Sequence, residues 1–228
     1  MTTVVGVGAA VAAGALALGL GGAALAAEQA PPRVLTAQVR GTVSTPEGTV
    51  PHAFLTIQTW PDSMAGPHGT DGGPHPSWVT YGPTTNLSVP AHALVTVTVE
   101  QYDTGGTITN PYFAQVHGTV GGTETVDGKT VTSINPDEVG HTFTLHGTVE
   151  DGQDSLFVNA PLPAVPDNAP NEKNGYPKPH VITFSFMTKG PGNYVFNCEY
   201  PCGDGTYANF GGPMGTRGYM SGTVTVTA

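Results

Sequence analysis

Apolar and polar residues alternate in several short stretches of this chain, which is the pattern of β-strands that bury one face. The clearest example reads Leu94-Val-Thr-Val-Thr-Val-Glu, in which Val95, Val97 and Val99 share one face. Shorter alternating stretches follow the same rule, and they predict further strands at 34–42, 52–60, 139–149 and 220–227. We therefore expect a chain built from about eight or nine short strands.

Turn signals predict how some of these strands are connected. Asp127-Gly128 lies between two alternating runs and predicts an inserted β-hairpin. A Gly-Pro-Gly turn at 190–192 predicts a second hairpin, whose strands are 181–186 and 193–198. Gly- and Pro-rich composition predicts a long surface loop at 61–76 and an irregular connection at 155–179.

The composition agrees with an all-β domain. The chain has 32 Gly and 21 Pro and only 11% charged residues, so little of it suits long amphipathic helices. With no helix to cover a sheet, the strands are expected to form two sheets packed on each other. The length of 228 residues favours one elaborated domain.

The charges and motifs exclude several classes of function. The net charge is -10, and the seven Lys and Arg residues are scattered, so a nucleic-acid partner is not expected. The chain carries no Gly-x-Ser-x-Gly, His-Glu-x-x-His or Walker motif. We therefore expect a binding, electron-transfer or structural role rather than catalysis on a small substrate.

The N-terminus contains an uncharged stretch at 4–27 that is long enough to cross a bilayer as one hydrophobic helix. Ala24-Leu25-Ala26 also offers a small-x-small cleavage site, so a cleaved signal and a retained transmembrane anchor both remain open. We expect residues 1–28 to form this segment and 29–228 to form a domain with an N-terminal extension. That domain is predicted to be extracytoplasmic, with the membrane as a partner.

Three marks in the second half of the chain occur in a fixed order: His141 before a strand, Cys198 at the end of a strand, and the last strand Met220-Ser-Gly222-Thr-Val-Thr-Val. In this order they resemble the cupredoxin family. The resemblance covers roughly 89–228 and implies an antiparallel Greek-key β-sandwich, here with an inserted hairpin and long loops. It also implies a copper site at which the three marks meet.

The two cysteines lie in Cys198-Glu-Tyr-Pro-Cys202-Gly, which is similar to the Cys-x-x-x-Cys-Gly segment of the copper A domain in cytochrome c oxidase subunit II. This resemblance implies copper held between two thiolates and electron transfer in a respiratory-type chain. The implied partner is a cytochrome or a membrane redox complex.

The chain departs from that pattern at one ligand. The oxidase segment has His four residues after its second Cys, where this chain has Thr206, and no His follows His180. The resemblance therefore implies His141, Cys198 and Met220 as copper ligands, with Cys202 or Met214 in place of the missing imidazole. Such a set of sulfur donors favours cuprous copper.

Two questions about this site remain open in the sequence. His117, His146 and His180 are candidates for a second imidazole, although His146 is expected on the opposite strand face from His141. In addition, Cys198 and Cys202 can instead pair as a disulfide in an oxidising compartment. The chain would then be a metal-free structural or accessory subunit of a membrane complex that retains the cupredoxin fold.

Overall fold

Two β-sheets packed on a common core form the part of the chain that our computed structural model describes, namely residues 33–46, 48–61, 78–147, 153–203, 205 and 207–228. The predicted all-β, two-sheet sandwich is therefore confirmed. Helical segments within these ranges are short 3-10 turns, and none is long and apolar enough to cross a membrane. The predicted hydrophobic helix at 4–27 and its cleavage site lie outside the described residues.

The strands of the described part are, in chain order, β1 (Val34–Thr36), β2 (Gln38–Thr45), β3 (Gly48–Pro61), β4 (Val79–Gly82), β5 (Asn86–Pro90), β6 (Leu94–Gln101), β7 (Glu124–Val126), β8 (Lys129–Val131), β9 (Val139–His146), β10 (Phe157–Pro163), β11 (His180–Met187), β12 (Gly192–Asn197) and β13 (Ser221–Thr227). The first sheet has the order β1-β5-β13-β12-β9-β10. The second has the order β2-β3-β6-β11-β7-β8, and β4 pairs with β3.

The core lies between the two sheets and is lined by alternate residues of the strands. Val95, Val97 and Val99 of β6 are completely buried, as their alternation predicts. Phe143 of β9 packs on Phe196 of β12 with ring centroids 4.6 Å apart. Burying each large apolar side chain contributes about 1.5–3 kcal/mol, so the sandwich gains most of its stability here.

The direction of strand pairing corrects one prediction. The pairs β1–β5, β5–β13 and β3–β6 are parallel, so the sandwich is mixed rather than antiparallel. The physical reason is that the chain crosses between the sheets. After β4 it enters the first sheet as β5 and returns to the second as β6, which therefore runs in the same direction as β3.

Two predicted strand groupings are wrong for the same reason. The single strand expected at 34–42 is divided at buried Ala37 into β1 and β2, which belong to different sheets. The hairpin expected at 181–198 is also absent, because β11 pairs with β6 and β7 whereas β12 pairs with β9 and β13. Alternation identifies the buried face of a strand but not the sheet to which it belongs.

The proline-rich connection expected at 155–179 is only partly irregular. It contains β10, which pairs antiparallel with β9 although it includes Pro161 and Pro163. β10 is the last strand in its sheet, and an edge strand tolerates residues that lack an N–H. The inserted hairpin is confirmed as β7 and β8, and Asp127 and Gly128 at its turn have φ values of 50° and 82°.

Candidate metal centre

Cys198 is placed by the alternation of β12. Tyr194 and Phe196 of that strand face the core, and Cys198 continues the same face and is 1% exposed. The backbone N–H of Cys198 donates to the carbonyl of Met220 at 3.0 Å. The backbone N–H of Thr142 on the neighbouring strand β9 points at the Cys198 sulfur, 3.4 Å away.

His141 lies on β9, beside Thr142, and is completely buried. Its Nδ1 atom is 3.7 Å from the Cys198 Sγ atom. Its Nε2 atom is 3.0 Å from Oδ2 of Asp103, which follows the end of β6. Tyr200 meets the imidazole edge-on, with ring centroids 6.2 Å apart. The imidazole is therefore fixed on both nitrogens, with Nδ1 toward the sulfur.

Two further sulfur atoms complete a cluster at this end of the sandwich. Cys202 Sγ is 3.8 Å from Cys198 Sγ, and both thiols are free. Cys202 Sγ is also 3.2 Å from Sδ of Met214, which ends the 3-10 turn Gly212–Met214. The loop between the second cysteine and β13 therefore brings a thioether next to the two thiols.

The spacing of these donors suits a metal ion. The ligand atoms of His141, Cys198 and Cys202 all lie within 4.8 Å of one another. With metal–sulfur bonds of about 2.3 Å and metal–nitrogen bonds of about 2.0 Å, two ligands of one ion lie about 3.3–4 Å apart. The separations of 3.7 Å and 3.8 Å fall in that range. A nitrogen, two thiols and a thioether also form the soft donor set that copper prefers.

The surroundings of the two thiols shift their pKa values in opposite directions. Burial opposes ionisation of Cys198, but hydrogen bonds with Cys202 and His141 lower its pKa well below the ordinary value. Burial and the neighbouring Cys198 sulfur raise the pKa of Cys202 well above it. Cys198 is therefore the thiol that ionises first, and a thiolate is the form that binds a metal.

The same contacts act on His141. Burial alone would lower its pKa, yet the hydrogen bonds to Asp103 and Cys198 raise the pKa to about 9. These contacts thus favour the protonated imidazole, which lies between the side chains of Asp103 and Cys198. A metal bound at Nδ1 would replace a proton there, as is general for metal sites that form from protonated ligands.

The remaining candidates from the sequence occupy other environments. Met220 is completely buried in the core, and its carbonyl accepts from Cys198. His146 contacts Asn197, His117 stacks on Tyr112, and His180 pairs with Asp127. Among the described residues, the cluster of ligand atoms contains one imidazole, from His141. Thr206 lies outside the described residues.

Sequence reasoning missed three residues that support the site. Asp103 holds His141, Thr142 donates to Cys198, and the Tyr81 hydroxyl donates to the Thr142 carbonyl. Asp103 and His141 are 38 positions apart, and Tyr81 and Thr142 are 61 apart. The sequence shows only that an acidic residue, Asp103, follows soon after the strongly alternating strand β6. That position alone does not identify His141 as its partner.

Comparison with known proteins gives distant similarities only. No protein-family model and no curated protein matches this sequence. Among solved structures the chain is similar to auracyanin B, at 15% identity and a TM-score of 0.34, over 84% of this chain and 98% of that one. It is also similar to auracyanin from the photosynthetic bacterium Roseiflexus castenholzii, at 16% identity and a TM-score of 0.34, over 77% of this chain and 97% of that one. Rusticyanin from Thiobacillus ferrooxidans matches at 15% identity and a TM-score of 0.36, over 77% of each chain. At these TM-scores the likeness carries no argument about function, so the interpretation of the site rests on its own side chains.

Proposed function

We propose that this chain is a cupredoxin-type protein that binds copper and takes part in electron transfer outside the cytoplasm. The observation that carries the proposal is the buried cluster in which His141, Cys198 and Cys202 bring three ligand atoms within 4.8 Å. Met214 supplies a fourth donor through its contact with Cys202. Met220, the ligand that the family resemblance implies, stays a candidate.

Copper at this position would supply one-electron chemistry between its cuprous and cupric states. The protein residues hold its ligands in place. Asp103 orients the His141 imidazole, and the Thr142 N–H donates to the Cys198 sulfur. Tyr81 in turn fixes the carbonyl of Thr142. Ligands held by such contacts rearrange little, which favours electron transfer because less reorganisation accompanies each change of charge.

The sulfur-rich donor set further determines which state of copper is favoured. Two thiols and a thioether are soft ligands and stabilise the cuprous ion. A protein with this preference would hold the copper mainly in its cuprous state between electron transfers. Electron transfer through the site is then expected at a relatively high reduction potential.

For the cellular setting we propose a membrane-associated protein of a respiratory-type chain. The uncharged segment at 4–27 and the similarity of the cysteine segment to oxidase subunit II support this setting. A cytochrome or a membrane redox complex is the proposed partner. The net charge of -10 favours an encounter with a basic surface on that partner.

A second function is favoured by one observation at the same site. The free thiols of Cys198 and Cys202 lie 3.8 Å apart, so a modest movement would allow a disulfide to form under oxidation. In that state the sulfur ligands are not available. The chain would then serve as a metal-free structural or accessory subunit.

Metal analysis and a thiol count separate the two functions. The thiols of protein purified without added copper are counted before any reductant is added, and the protein is then loaded with cuprous copper under reducing conditions and exchanged into metal-free buffer. We expect about one or two copper ions per chain, as cupredoxin sites are mononuclear or binuclear. On oxidation, the thiolate–copper unit should give a visible absorption band. A protein that binds no copper and contains one disulfide would favour the accessory role instead.

Variants assign the copper to this site. Cys198→Ser replaces the central thiolate by a neutral hydroxyl and should abolish copper binding. Val195→Ser is the matched control, because Val195 lies on the same strand but is 47% exposed. If Cys198→Ser retains copper at the level of the control, the ion is bound elsewhere and the proposal fails.

A further inference from the structure

Two cavities adjoin each other on the outer face of the second sheet, at the end of β6 opposite to the candidate metal centre. Leu94 begins β6 and lines both cavities, whereas Asp103 of the metal centre follows the far end of that strand. In β11, the buried residues Phe184 and Phe186 face the core. The residues that alternate with them therefore face outward and line the cavities, namely Thr183, Ser185 and Met187.

The first cavity is apolar and has a volume of about 390 Å³. Leu94 and Met187 are paired across β6 and β11, and both line this cavity. Val43 of β2 and Val120 supply further apolar side chains to the lining. Val120 begins a 3-10 turn and is 53% exposed, so the lining includes apolar surface that water reaches. Covering such surface with an apolar group is favourable.

The second cavity is lined by hydroxyl groups and has a volume of about 270 Å³. Thr125 of β7 is in register with Thr183 of β11 on one side and with Thr130 of β8 on the other. These three side chains therefore lie next to one another across neighbouring strands, which are about 4.8 Å apart. Because Leu94 and Val120 line both cavities, the two form one groove with an apolar part and a hydroxyl-lined part.

The charge of this outer groove differs from that of the whole chain. In the part of its lining that the structure describes there is no Lys, Arg or His. The acidic residue there, Glu124, is 1% exposed, and burial raises the pKa of its carboxyl group to about 8, so it is uncharged at neutral pH. A charged ligand would thus lose its hydration without gaining an ionic partner, whereas a neutral ligand would not.

We propose that the outer groove binds a neutral amphiphile, with an alkyl chain in the apolar part and an uncharged, hydroxyl-bearing head group against the threonines. Ligand sites in proteins are typically apolar cavities of about 300–1,000 Å³ in which a few polar groups orient the ligand, and the groove agrees with this description. Binding is non-covalent. It uses none of the proposed copper ligands, so the inference stands apart from the proposed function.

The experiment titrates octyl glucoside into the full chain at concentrations below those at which it forms micelles. We expect saturable shifts in the methyl NMR signals of Leu94, Val120 and Met187, with a single molecule bound per chain. The methyl signals of Val39, which is 55% exposed and outside the groove, should not move. Signals assigned to individual residues distinguish the groove from any other apolar part of the chain that associates with the glucoside.

Related ligands test the two parts of the proposed ligand. In the series from hexyl to octyl glucoside, affinity should rise about fourfold with each methylene group that enters the apolar part. Octyl sulfate and octyltrimethylammonium carry the same alkyl chain on charged head groups, and both should produce these shifts only at higher concentrations than octyl glucoside.

One pair of variants tests the wall that the two cavities share. Val120→Glu places a charge there and should weaken the binding of octyl glucoside by at least about tenfold. Val39→Glu is the matched control, because it introduces the same charge at an equally exposed valine outside the groove. It should bind octyl glucoside like the unaltered protein.

A second pair tests the hydroxyl-lined part. Thr125→Val removes the central hydroxyl of the three and suits a strand, so it should weaken the binding of octyl glucoside about threefold to tenfold. The same variant should bind octanol, which has no sugar head group, as the unaltered protein does. Thr56→Val, at an exposed position of β3 outside the groove, is the control.

Several results would overturn the inference. They are an absence of shifts at Leu94 and Met187, an affinity that does not depend on alkyl chain length, and a charged head group that binds as tightly as the glucoside. Equal affinities in Val120→Glu and Val39→Glu would also overturn it. Because no step requires copper, a chain that takes up no copper would overturn the proposed function and leave this inference standing.

Discussion

Oδ2 of Asp103 lies 3.0 Å from Nε2 of His141, and this contact leaves Nδ1 of the imidazole facing the Cys198 sulfur. A carboxylate on the far nitrogen of a ligating histidine fixes the orientation of the ring and raises its basicity. Asp103 is therefore a positioning residue of the proposed centre rather than a ligand.

The first prediction concerns this carboxylate. Asp103→Asn keeps the size of the side chain but removes its charge, so it should lower the affinity for cuprous copper by about 10–100-fold. Competition against a cuprous chelator measures the change. Asp167→Asn, at an exposed position, is the matched control and should have no effect. A purely structural role would lower stability without moving the ring-nitrogen NMR signals of His141, and unchanged copper affinity would contradict the prediction.

The second prediction distinguishes the two methionines. Met214 has its sulfur 3.2 Å from Cys202 Sγ, whereas Met220 is buried in the core and contacts Cys198 through its carbonyl. Met214→Leu should therefore shift the thiolate–copper absorption band and weaken copper binding. Met220→Leu conserves volume and should cost less than about 1.5 kcal/mol of stability. The reverse result, with the spectrum changed only in Met220→Leu, would restore Met220 as the ligand.

The alternation of apolar and polar residues predicted where many strands lie and which faces are buried, but it did not predict which strands pair. The alternation in β6 correctly located Val95, Val97 and Val99 in the core, because a strand with one buried face repeats every two residues. The same rule made 181–198 resemble a hairpin, although its two strands belong to opposite sheets. Pairing depends on contacts that are distant in sequence, and alternation carries no information about them.

The candidate site was predictable to the extent that its residues occur in a recognisable order. His141 and Cys198 were singled out from the family resemblance, and the structure brings their ligand atoms together. Asp103 reaches His141 from a different sheet, at the end of β6, so no spacing in the sequence connects them. The proximity of Met214 likewise depends on how the loop after Cys202 folds back.

The third prediction tests the close packing of the last strand. A Cβ atom added at Gly222 of β13 would lie 1.9 Å from the carbonyl oxygen of Thr85, which accepts a hydrogen bond from Thr223. Because the colliding atom belongs to the backbone, relief requires β13 and the segment at Thr85 to move apart. Gly222→Ala should thus lower the free energy of unfolding by about 1–3 kcal/mol or more.

Chemical denaturation measures this cost, and a second glycine supplies the control. A Cβ atom added at Gly215 would come no nearer than 3.8 Å to its neighbours, so Gly215→Ala should be close to neutral. Similar stabilities for the two variants would show that β13 and the segment at Thr85 are not packed as closely as the structure has them.

The last prediction is a pH dependence of stability that arises from Glu124 on β7. Its carboxyl group is buried, both oxygens lack a hydrogen-bond partner among the described residues, and this burial raises its pKa to about 8. The unfolded chain has the ordinary value of 4.5, so between pH 4.5 and about 8 the folded protein holds a proton that the unfolded protein has lost. The contribution of this group is thus fully present below pH 4.5 and is lost as the pH rises through about 8.

The side chain that Glu124→Gln introduces is neutral at every pH. The free energy of unfolding of this variant, relative to that of the unaltered protein, should therefore increase by a few kcal/mol as the pH rises from 4.5 to about 8. Urea unfolding at several pH values measures the difference, with exposed Glu172→Gln as the control. Parallel pH profiles for Glu124→Gln and the unaltered protein would mean that the carboxyl group is ionised and solvated in the folded state.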